Sequence, residues 1–199
     1  MAKITMADIS EYQTNIDAPT YLRYHKTVIC RVHNGNRPDN MMPTRRDYLR
    51  KYKFTGIGWY QYLVSNRDPA AQARDFIAVV GNLHVNEWAI LDLESGTGDQ
   101  TQRAQAWFDV VDKWANMTAM LYSGEYFLNN QLGGSGRWKG RPIWVAAYRS
   151  TEPTLAHMLW QYTDREKYGA ITPSNCDSSL HHGTDKSFIY DVRHARSGG

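Results

Sequence analysis

The sequence predicts an α/β fold built around a mostly parallel β-sheet. Short apolar runs alternate with segments of helical periodicity along most of the chain, and this alternation is typical of β/α units. A length of 199 residues suffices for one domain with a substantial core. The composition, with 42% hydrophobic and 22% charged residues, is that of a globular domain and excludes the disordered and fibrous classes.

About eight strands are predicted, each from a short apolar run bounded by turn residues. They are Ile4–Ile9, Thr27–Val32, Gly56–Leu63, Trp88–Glu94, Thr118–Ser123, Pro142–Tyr148, His157–Tyr162 and a very short one at Asn175–Asp177. The strands from Pro142 onward follow each other too closely for full helices between them. The regular alternation is therefore expected to end in the second half of the chain.

Two long helices and two shorter ones are predicted from apolar residues at helical spacing. They contain the segments Ala73–Leu83, Ala104–Trp114, Pro43–Tyr52 and Gly124–Leu132. Pro69 is well placed in the first turn of the first of these, and Asp99 or Thr101 is the expected cap of the second. The segment Gly133–Gly140 predicts a glycine-rich loop.

Charge and hydropathy exclude two classes of partner. The formal net charge of +3 is too small to indicate nucleic-acid binding, and the basic residues form no stripe with interleaved aromatic residues. Since no run of about 18 apolar residues occurs, we expect no membrane insertion. The first residues, MAKITMADIS, lack the apolar stretch of a signal peptide, so we expect release without a leader or a leader already removed. For Cys30 and Cys176 we predict buried thiols, with a disulfide as the alternative.

The segment Trp88-Ala-Ile-Leu-Asp-Leu-Glu94 carries two carboxylates where an apolar strand ends. Residues two apart in a strand point to the same side, so Asp92 and Glu94 share one face. In parallel β/α sheets and barrels, ligands bind at the carboxyl ends of the strands. Two adjacent buried carboxylates resist ionising together, so one of them should keep a proton near neutral pH. A protonated acid beside an ionised partner is what cleavage of a glycosidic bond requires.

Two further carboxylates occupy comparable positions. Asp8 lies near the end of the first predicted strand, and Asp177 lies where the eighth would finish. If the sheet closes into a barrel, these two strands are neighbours, and both carboxylates converge on the mouth shared with Asp92 and Glu94. The alternative for Asp8 and Asp177 is a turn or cap residue. For Asp92 and Glu94 it is a helix cap or the partner of an arginine, although no Lys or Arg occurs between residues 87 and 102.

Seven segments of the chain carry a family resemblance. They are Asp8-Ile-Ser-Glu-Tyr-Gln13, Gly58-Trp-Tyr-Gln-Tyr62, Leu91-Asp-Leu-Glu94, Leu121-Tyr-Ser-Gly124, Trp144-Val-Ala-Ala-Tyr148, Trp160-Gln-Tyr162 and the segment around Asp177. In their order and spacing, over nearly the whole length, the chain resembles glycoside hydrolase family 25, the Chalaropsis-type lysozymes.

The resemblance implies an irregular TIM-like (β/α)5β3 barrel. It also implies a retaining N-acetylmuramidase, a lysozyme that hydrolyses the β-1,4 bond between N-acetylmuramic acid and N-acetylglucosamine of peptidoglycan. By position, Glu94 would be the general acid, and Asp92 would assist it or orient the acetamido group of the substrate. Asp8 and Asp177 would line the same cleft. We expect the acetamido group to be the nucleophile, with Tyr60 helping to hold it.

Aromatic and amide side chains are the predicted substrate-binding residues. By position in the family they are Tyr60, Gln61, Tyr122, Trp144, Tyr148, Trp160 and Tyr162. A core role is the alternative for the aromatic ones. The family commonly has a histidine where this chain has Gln61, and a glutamine can hydrogen-bond a sugar without changing charge near neutral pH. The histidines show no metal-ligand spacing, so we expect neither a metal nor a cofactor.

One catalytic domain is expected over residues 1–192, with a tail or the start of a linker over residues 193–199. We expect a monomer that acts on the peptidoglycan of the bacterial cell wall, as a phage endolysin or a secreted bacterial hydrolase does. Two alternatives stay open. One is a chitinase-like hydrolase, whose catalytic strand also ends in Asp-x-Glu, and the other is a non-catalytic glycan-binding module on the same barrel.

Overall fold

The computed structural model describes residues 2–195, and in them eight strands form a closed barrel. These residues contain ten strands in all, namely β1 (Lys3–Ile9), β2 (Asn15–Ile16), β3 (Thr27–His33), β4 (Gly56–Tyr62), β5 (Glu87–Asp92), β6 (Met120–Gly124), β7 (Ile143–Ala146), β8 (Leu159–Lys167), β9 (Ile171–Thr172) and β10 (Asn175–His182). Around the barrel the order is β1, β3, β4, β5, β6, β7, β8 and β10, while β2 and β9 pair in a separate antiparallel ribbon.

The barrel consists of parallel strands except for β10, which pairs antiparallel with both β8 and β1. Because β10 runs in the opposite direction, its first residues lie where the other strands end. The first and last barrel strands are neighbours, as predicted. The predicted length of the last strand was wrong: β10 spans 8 residues. Its inward positions are polar, so no apolar run marks it in the sequence.

Helices follow each of the first five barrel strands. The helices are α1 (Ala18–Tyr21), α2 (Thr44–Arg50), α3 (Pro69–Val80), α4 (Thr101–Ala115), α5 (Glu125–Gln131) and α6 (Asp185–His194), and a 3₁₀ turn spans Ser135–Trp138. Within residues 2–195, no α-helix separates β7, β8 and β10, which confirms the (β/α)5β3 arrangement. No helix in this part of the chain combines the length and hydropathy needed to cross a membrane.

The two long helices begin close to the predicted positions. Asp68 caps α3 by accepting a hydrogen bond from the Ala71 N–H, and Pro69 occupies the first turn. Neither predicted residue is the N-cap of α4, because Gln100 holds that position. Asp99 nevertheless accepts a hydrogen bond from the backbone N–H of Thr101 at 2.8 Å.

Two apolar layers stabilise the barrel. The inner layer fills it and includes Met6, Ile29, Trp88, Ile90, Met120, Trp144 and Leu159. The outer layer lies between the strands and the helices and includes Val32, Trp59, Phe76, Leu91, Trp107 and Phe108. Since successive residues of a strand point to opposite sides, each barrel strand contributes to both layers. The alternation therefore decides which side chains reach the mouth of the barrel.

Helix α6 closes the end of the barrel opposite the carboxyl ends of the parallel strands. Phe188 is fully buried in the inner layer, and its ring packs edge-on against Trp88 with the centroids 5.4 Å apart. A capping box formed by Thr184 and Ser187 begins the helix. In the sequence, Phe188–Val192 is a short apolar segment, and a stripe of this length does not by itself indicate a helix.

The predicted domain boundary at residue 192 falls inside α6, which continues to His194. The folded part of the chain therefore extends beyond that boundary. Residues 196–199, where a tail or linker is predicted, lie outside the described residues.

Cys30 and Cys176 are buried free thiols, as predicted. They lie on β3 and β10, and β1 runs between these strands with Ile9 as the register partner of Cys30. Adjacent strands are about 4.8 Å apart, so the two Cα atoms are roughly 9–10 Å apart, whereas a disulfide needs less than about 7 Å. Burial raises the pKa of each thiol to about 12, so neither is a thiolate at neutral pH.

Candidate active site

The four predicted carboxylates meet at the mouth of the barrel. Asp8 and Asp177 are register partners on the neighbouring strands β1 and β10. Asp92 is the last residue of β5, and Glu94 follows two residues later. The charge of Glu94 acts on Asp92, and the charge of Asp177 acts on Glu94. Carboxyl groups from β1, β5 and β10, which are far apart in the sequence, thus lie close together at the mouth.

Asp8 and Asp177 share a proton. Asp8 is 5% exposed, and burial, followed by the charge of Asp177, raises its pKa well above the ordinary range. The two side chains are hydrogen-bonded, which two carboxyl groups can be only if one of them is protonated. Burial also raises the pKa of Asp177, but the hydrogen bond from Asp8 opposes that rise. The pair therefore holds one proton between its two carboxyl groups and carries a single negative charge.

Asp92 is a buried carboxyl group with an unsatisfied oxygen. Its Oδ1 has no hydrogen-bond partner among the described residues. Burial first, and then the charges of Glu94 and Asp8, raise its pKa well above the ordinary range, while Arg31 acts in the opposite direction. An unsatisfied buried polar atom costs about 1–3 kcal/mol. A ligand that donates an N–H or O–H to this oxygen would remove that cost.

Glu94 as a whole residue is exposed at the mouth. Its carboxyl group is nevertheless partly shielded from water by neighbouring atoms, and this burial and the charge of Asp177 raise its pKa. The backbone on both sides of it is held in place. The Leu93 carbonyl accepts a hydrogen bond from Ser123 Oγ at 2.7 Å, and Ser95 Oγ donates to the Leu63 carbonyl at 2.9 Å. Glu94 therefore combines access to a ligand with a fixed position and a raised pKa.

The four carboxylates take part in none of the ion pairs found among residues 2–195. The alternative that they are structural partners of arginines therefore fails. In the same part of the chain, no group of three or more His, Cys, Asp or Glu side chains is arranged to hold a metal ion.

Gln161 lies at the centre of the mouth, although the sequence analysis did not select it. Its Nε2 donates to Asp8 Oδ2 at 3.0 Å, and its Oε1 accepts hydrogen bonds from the hydroxyls of Tyr122 and Tyr148 at 2.8 and 2.9 Å. Leu159 is in the inner layer, so the residue two positions later on β8 also points inward. That spacing could have identified Gln161 once the inward face of β8 was known.

Tyr60 and Arg31 complete the inner wall on β4 and β3. Burial, and then the charge of Asp8, raise the pKa of Tyr60 well above the ordinary range, so its hydroxyl stays neutral. Arg31 was not predicted as a site residue. Its Nε donates to Asp39 at 3.0 Å and its Nη2 donates to Glu11 at 2.8 Å. These two acids hold a cation at the mouth, and its charge lowers the pKa of Asp92 against the larger effect of burial.

The structure places Gln61, which was predicted to bind substrate, away from the mouth. The side chain is fully buried, and its Oε1 accepts a hydrogen bond from Trp107 Nε1 of α4 at 2.8 Å. The cause is strand alternation, because Tyr60 points into the barrel and the next residue must point toward the helices. Gln61 therefore connects β4 to the outer layer.

Trp144 lies beneath the site and cannot contact a ligand there. It is 1% exposed, and its Nε1 donates to Ser179 Oγ at 2.9 Å. Its ring packs against the ring of Tyr122 with the centroids 4.3 Å apart. Trp144 does point into the barrel, but it lies in the inner apolar layer below the mouth. The alternative of a core role therefore describes its position.

Trp160 and Tyr162 lie on the outer side of β8. Trp160 Nε1 donates to the Ala147 carbonyl at 2.8 Å. The Tyr162 hydroxyl donates to Glu166 at 3.1 Å, and its ring lines an outer groove of about 450 Å³. The structure therefore places both residues, which were predicted to bind substrate, away from this mouth. Of the predicted aromatic residues, the mouth retains Tyr60, Tyr122 and the 55% exposed Tyr148.

The sequence matches the family model of glycosyl hydrolases family 25 over residues 7–171. Among curated proteins it is similar to the uncharacterized protein YegX of Escherichia coli O157:H7. The two are 28% identical over 136 residues, which are 65% of this chain and 49% of YegX. The chain thus spans about half the length of the curated relatives it matches.

Solved structures share the fold at low sequence identity. The bacterial lysozyme from Streptomyces coelicolor has a TM-score of 0.85 and 16% identity, covering 98% of this chain and 100% of that one. The catalytic domain of endolysin ply40 from bacteriophage P40 of Listeria monocytogenes has a TM-score of 0.79 and 20% identity, covering 98% of both chains. These likenesses show the barrel.

The family match includes Asp8, Asp92, Glu94 and Gln161 and ends before Asp177. A match of this extent shows that the chain belongs to glycosyl hydrolases family 25.

Proposed function

We propose that this protein is a retaining N-acetylmuramidase. It hydrolyses the β-1,4 bond between N-acetylmuramic acid and N-acetylglucosamine in the bacterial cell wall, and it acts as a monomer. The observation that carries the proposal is the cluster of four carboxyl groups with raised pKa values at one barrel mouth. Family membership supports glycoside hydrolysis as the reaction class.

Glu94 is the general acid. The reaction needs a carboxylic acid that keeps its proton near neutral pH and can reach the leaving-group oxygen. Glu94 is exposed at the mouth, and burial of its carboxyl raises its pKa. The fixed backbone around it supports a defined position for this proton.

Asp92 and Glu94 hold one proton between them before substrate binds. Burial raises the pKa of Asp92 more strongly, so the proton favours Asp92 in the free enzyme. An acetamido N–H that donates to the unsatisfied Asp92 Oδ1 stabilises the ionised form of that carboxyl. Bound substrate also excludes water from Glu94, which raises the pKa of that group further. Binding thus transfers the proton to the acid that uses it.

The nucleophile is the acetamido group of N-acetylmuramic acid. Its carbonyl oxygen attacks the anomeric carbon while Glu94 protonates the leaving oxygen, so the glycosidic C–O bond breaks and a cyclic oxazolinium ion forms. Asp92 and Tyr60 hold the acetamido group. A water molecule deprotonated by Glu94 then attacks the anomeric carbon and restores the acetamido group. Two inversions give net retention, and the single negative charge of the Asp8–Asp177 pair stabilises the positive charge that develops on the sugar.

Digestion of purified peptidoglycan, borohydride reduction and mass spectrometry test the proposal. We expect reduced muramic acid from the wild type and none from Glu94→Gln. Glu152→Gln is the matched control, since Glu152 bonds His157 and His182 near the other end of the barrel. It should keep wild-type activity, and EDTA should leave that activity unchanged.

Other products would support the alternatives. Release of soluble oligosaccharides from chitin with no muramic product would favour a chitinase-like hydrolase. Wall binding with no new reducing end on several walls would favour a glycan-binding module. Trapping of a covalent sugar on Asp92 or Asp177 would overturn substrate assistance while leaving the muramidase assignment intact.

A further inference from the structure

We propose that Gln161 is a positioning residue that ties the proton-sharing Asp8–Asp177 pair to the sugar-facing wall formed by Tyr122 and Tyr148. The proposal rests on the muramidase function proposed above. It assigns Gln161 no contact with the reacting atoms, because the side chain is 1% exposed and lies beneath them.

The hydrogen bonds fix the orientation of the amide. Gln161 Oε1 accepts from two tyrosine hydroxyls, at 2.8 and 2.9 Å, and so uses both of its lone pairs. Nε2 is then the atom that faces Asp8 Oδ2 at 3.0 Å. If the amide nitrogen and oxygen of Gln161 exchanged places, the amide oxygen would lie against the carboxyl oxygen of Asp8. One neutral side chain thus contacts three strands or loops of the mouth at once.

This amide determines how Asp8 presents its proton. With Oδ2 held by Gln161, the other oxygen of Asp8 is left for the hydrogen bond with Asp177. The N–H also favours the ionised form of Asp8 and lowers its pKa against the larger effect of burial. Without Gln161, the Asp8 carboxyl is free to rotate and holds its proton more tightly.

The same amide fixes the position of Tyr148. Tyr148 follows β7 and is 55% exposed, which leaves its ring open for stacking on a sugar. Its hydroxyl is held on Gln161 beside the hydroxyl of the buried Tyr122. A sugar ring that packs on Tyr148 is therefore placed relative to the Asp8–Asp177 pair through a single side chain.

Gln161 is a neutral group in a ring of titratable ones. The groups that face this cluster from the surrounding elements are Asp8 on β1, Arg31 on β3, Tyr60 on β4, Asp92 and Glu94 at the end of β5, Tyr122 on β6, Tyr148 after β7 and Asp177 on β10. A carboxylate at position 161 would repel the acids and lose the N–H donor. The amide is therefore the side chain of this size that can donate to Asp8 and accept from both tyrosines at neutral pH.

The experiment compares the wild type, Gln161→Met and the exposed control Gln102→Met. The pKa of Asp8 is followed by ¹³C-carboxyl NMR, and kcat/KM is measured on peptidoglycan fragments. We expect Gln161→Met to raise the pKa of Asp8 and to lower kcat/KM roughly 10- to 100-fold, the loss associated with a hydrogen bond to a charged group. The control should change neither. A folded Gln161→Met variant with an unchanged Asp8 titration would overturn the proposal, whatever its activity.

Gln161→Glu provides a second test if Gln161→Met does not fold. A protonated glutamic acid can donate to Asp8 and accept from the tyrosines, but the ionised form cannot donate. We therefore expect the alkaline limb of the pH profile to move to lower pH, with activity recovering as the pH falls. A profile identical to that of the wild type would overturn the proposal. The NMR titration needs no turnover, so an inactive wild type would refute the muramidase function and leave the role of Gln161 to be decided by the Asp8 titration.

Discussion

Replacing Asp92 with asparagine should stabilise the protein while removing most of its proposed activity. Asp92 is 6% exposed, its Oδ1 has no hydrogen-bond partner among residues 2–195, and burial raises its pKa well above the ordinary range. Asparagine keeps the shape of the side chain. It replaces a carboxyl group whose ionisation burial, Glu94 and Asp8 all oppose with a group that does not ionise.

The magnitude follows from the cost of keeping an ionisable carboxyl group in this buried position, which the neutral amide avoids and which is about 1–3 kcal/mol. The free energy of unfolding at pH 7 should rise by about this amount. For a domain of this size, each kcal/mol moves Tm by about 2–4 °C, so the expected gain is roughly 2–12 °C.

The gain should depend on pH in a defined direction. The pKa of Asp92 is higher in the folded state than in the unfolded state. Its contribution to wild-type stability is therefore fully present below the unfolded pKa of about 3.9 and is lost as the pH rises through the folded pKa. The difference between Asp92→Asn and the wild type should be near zero at pH 3.5 (about the unfolded pKa) and largest at neutral pH.

Calorimetric unfolding from about pH 3.5 to 7.5 measures this difference, with Asp191→Asn on the exposed side of α6 as the control. The reducing-end assay should show at least about a 100-fold loss for Asp92→Asn, the scale on which a preorganised electrostatic contact acts. A stability gain that is equal at all pH values, or a loss at pH 7, would refute the assignment of a buried, disfavoured charge to Asp92.

Three further results are expected. The kcat/KM of the wild type should fall as the pH rises through the pKa of Glu94, and this limb should lie above the ordinary glutamate pKa because burial raises it. A pH–rate profile of Glu94→Asp should shift that limb, and an unmoved limb would reject Glu94 as the acid. Trp144→Phe removes the hydrogen-bond donor of Ser179 Oγ, so the free energy of unfolding in chemical denaturation should fall by about 1–3 kcal/mol while KM stays unchanged. A raised KM would instead support the predicted contact of Trp144 with substrate. Arg50→Met leaves the fully buried Glu87 without its ion-pair partner at 2.8 Å. The free energy of unfolding in chemical denaturation should fall by about 3–5 kcal/mol, and the folded enzyme should keep its activity. A loss below about 1 kcal/mol, the value of a surface ion pair, would contradict this expectation.

Much of the barrel could be predicted because strand ends are marked locally. The apolar run before Asp92 and the turn residues after Glu94 identify a carboxyl end of a strand from neighbouring residues alone. The same reasoning located Asp8. The shift from long to short connections after Pro142 predicted where the helices stop. These features depend on contacts within a few residues, which the sequence contains directly.

The orientation of each strand face could not be predicted in this way. Alternation shows that Trp160 and Tyr162 share one side of β8, but it does not say which side is inward. The aromatic side packs outward, where no helix covers β8 in the described residues, and Trp160 instead bonds the Ala147 carbonyl. Gln161 faces inward because Asp8 and two tyrosines from distant strands satisfy its amide. Those partners are known only after the barrel has closed.

The antiparallel closure by β10 also determines when the protein can first work. Asp8 is made with the first barrel strand and Asp177 with the last, and β1 has no neighbour on one side until β10 pairs with it. Contacts between such distant parts of a chain form late, since a long loop must close before they contribute. A nascent chain that has not yet reached Asp177 lacks half of the proton-sharing pair. For the proposed wall-degrading enzyme, translation itself thus keeps the site incomplete until nearly all of the described chain has been synthesised.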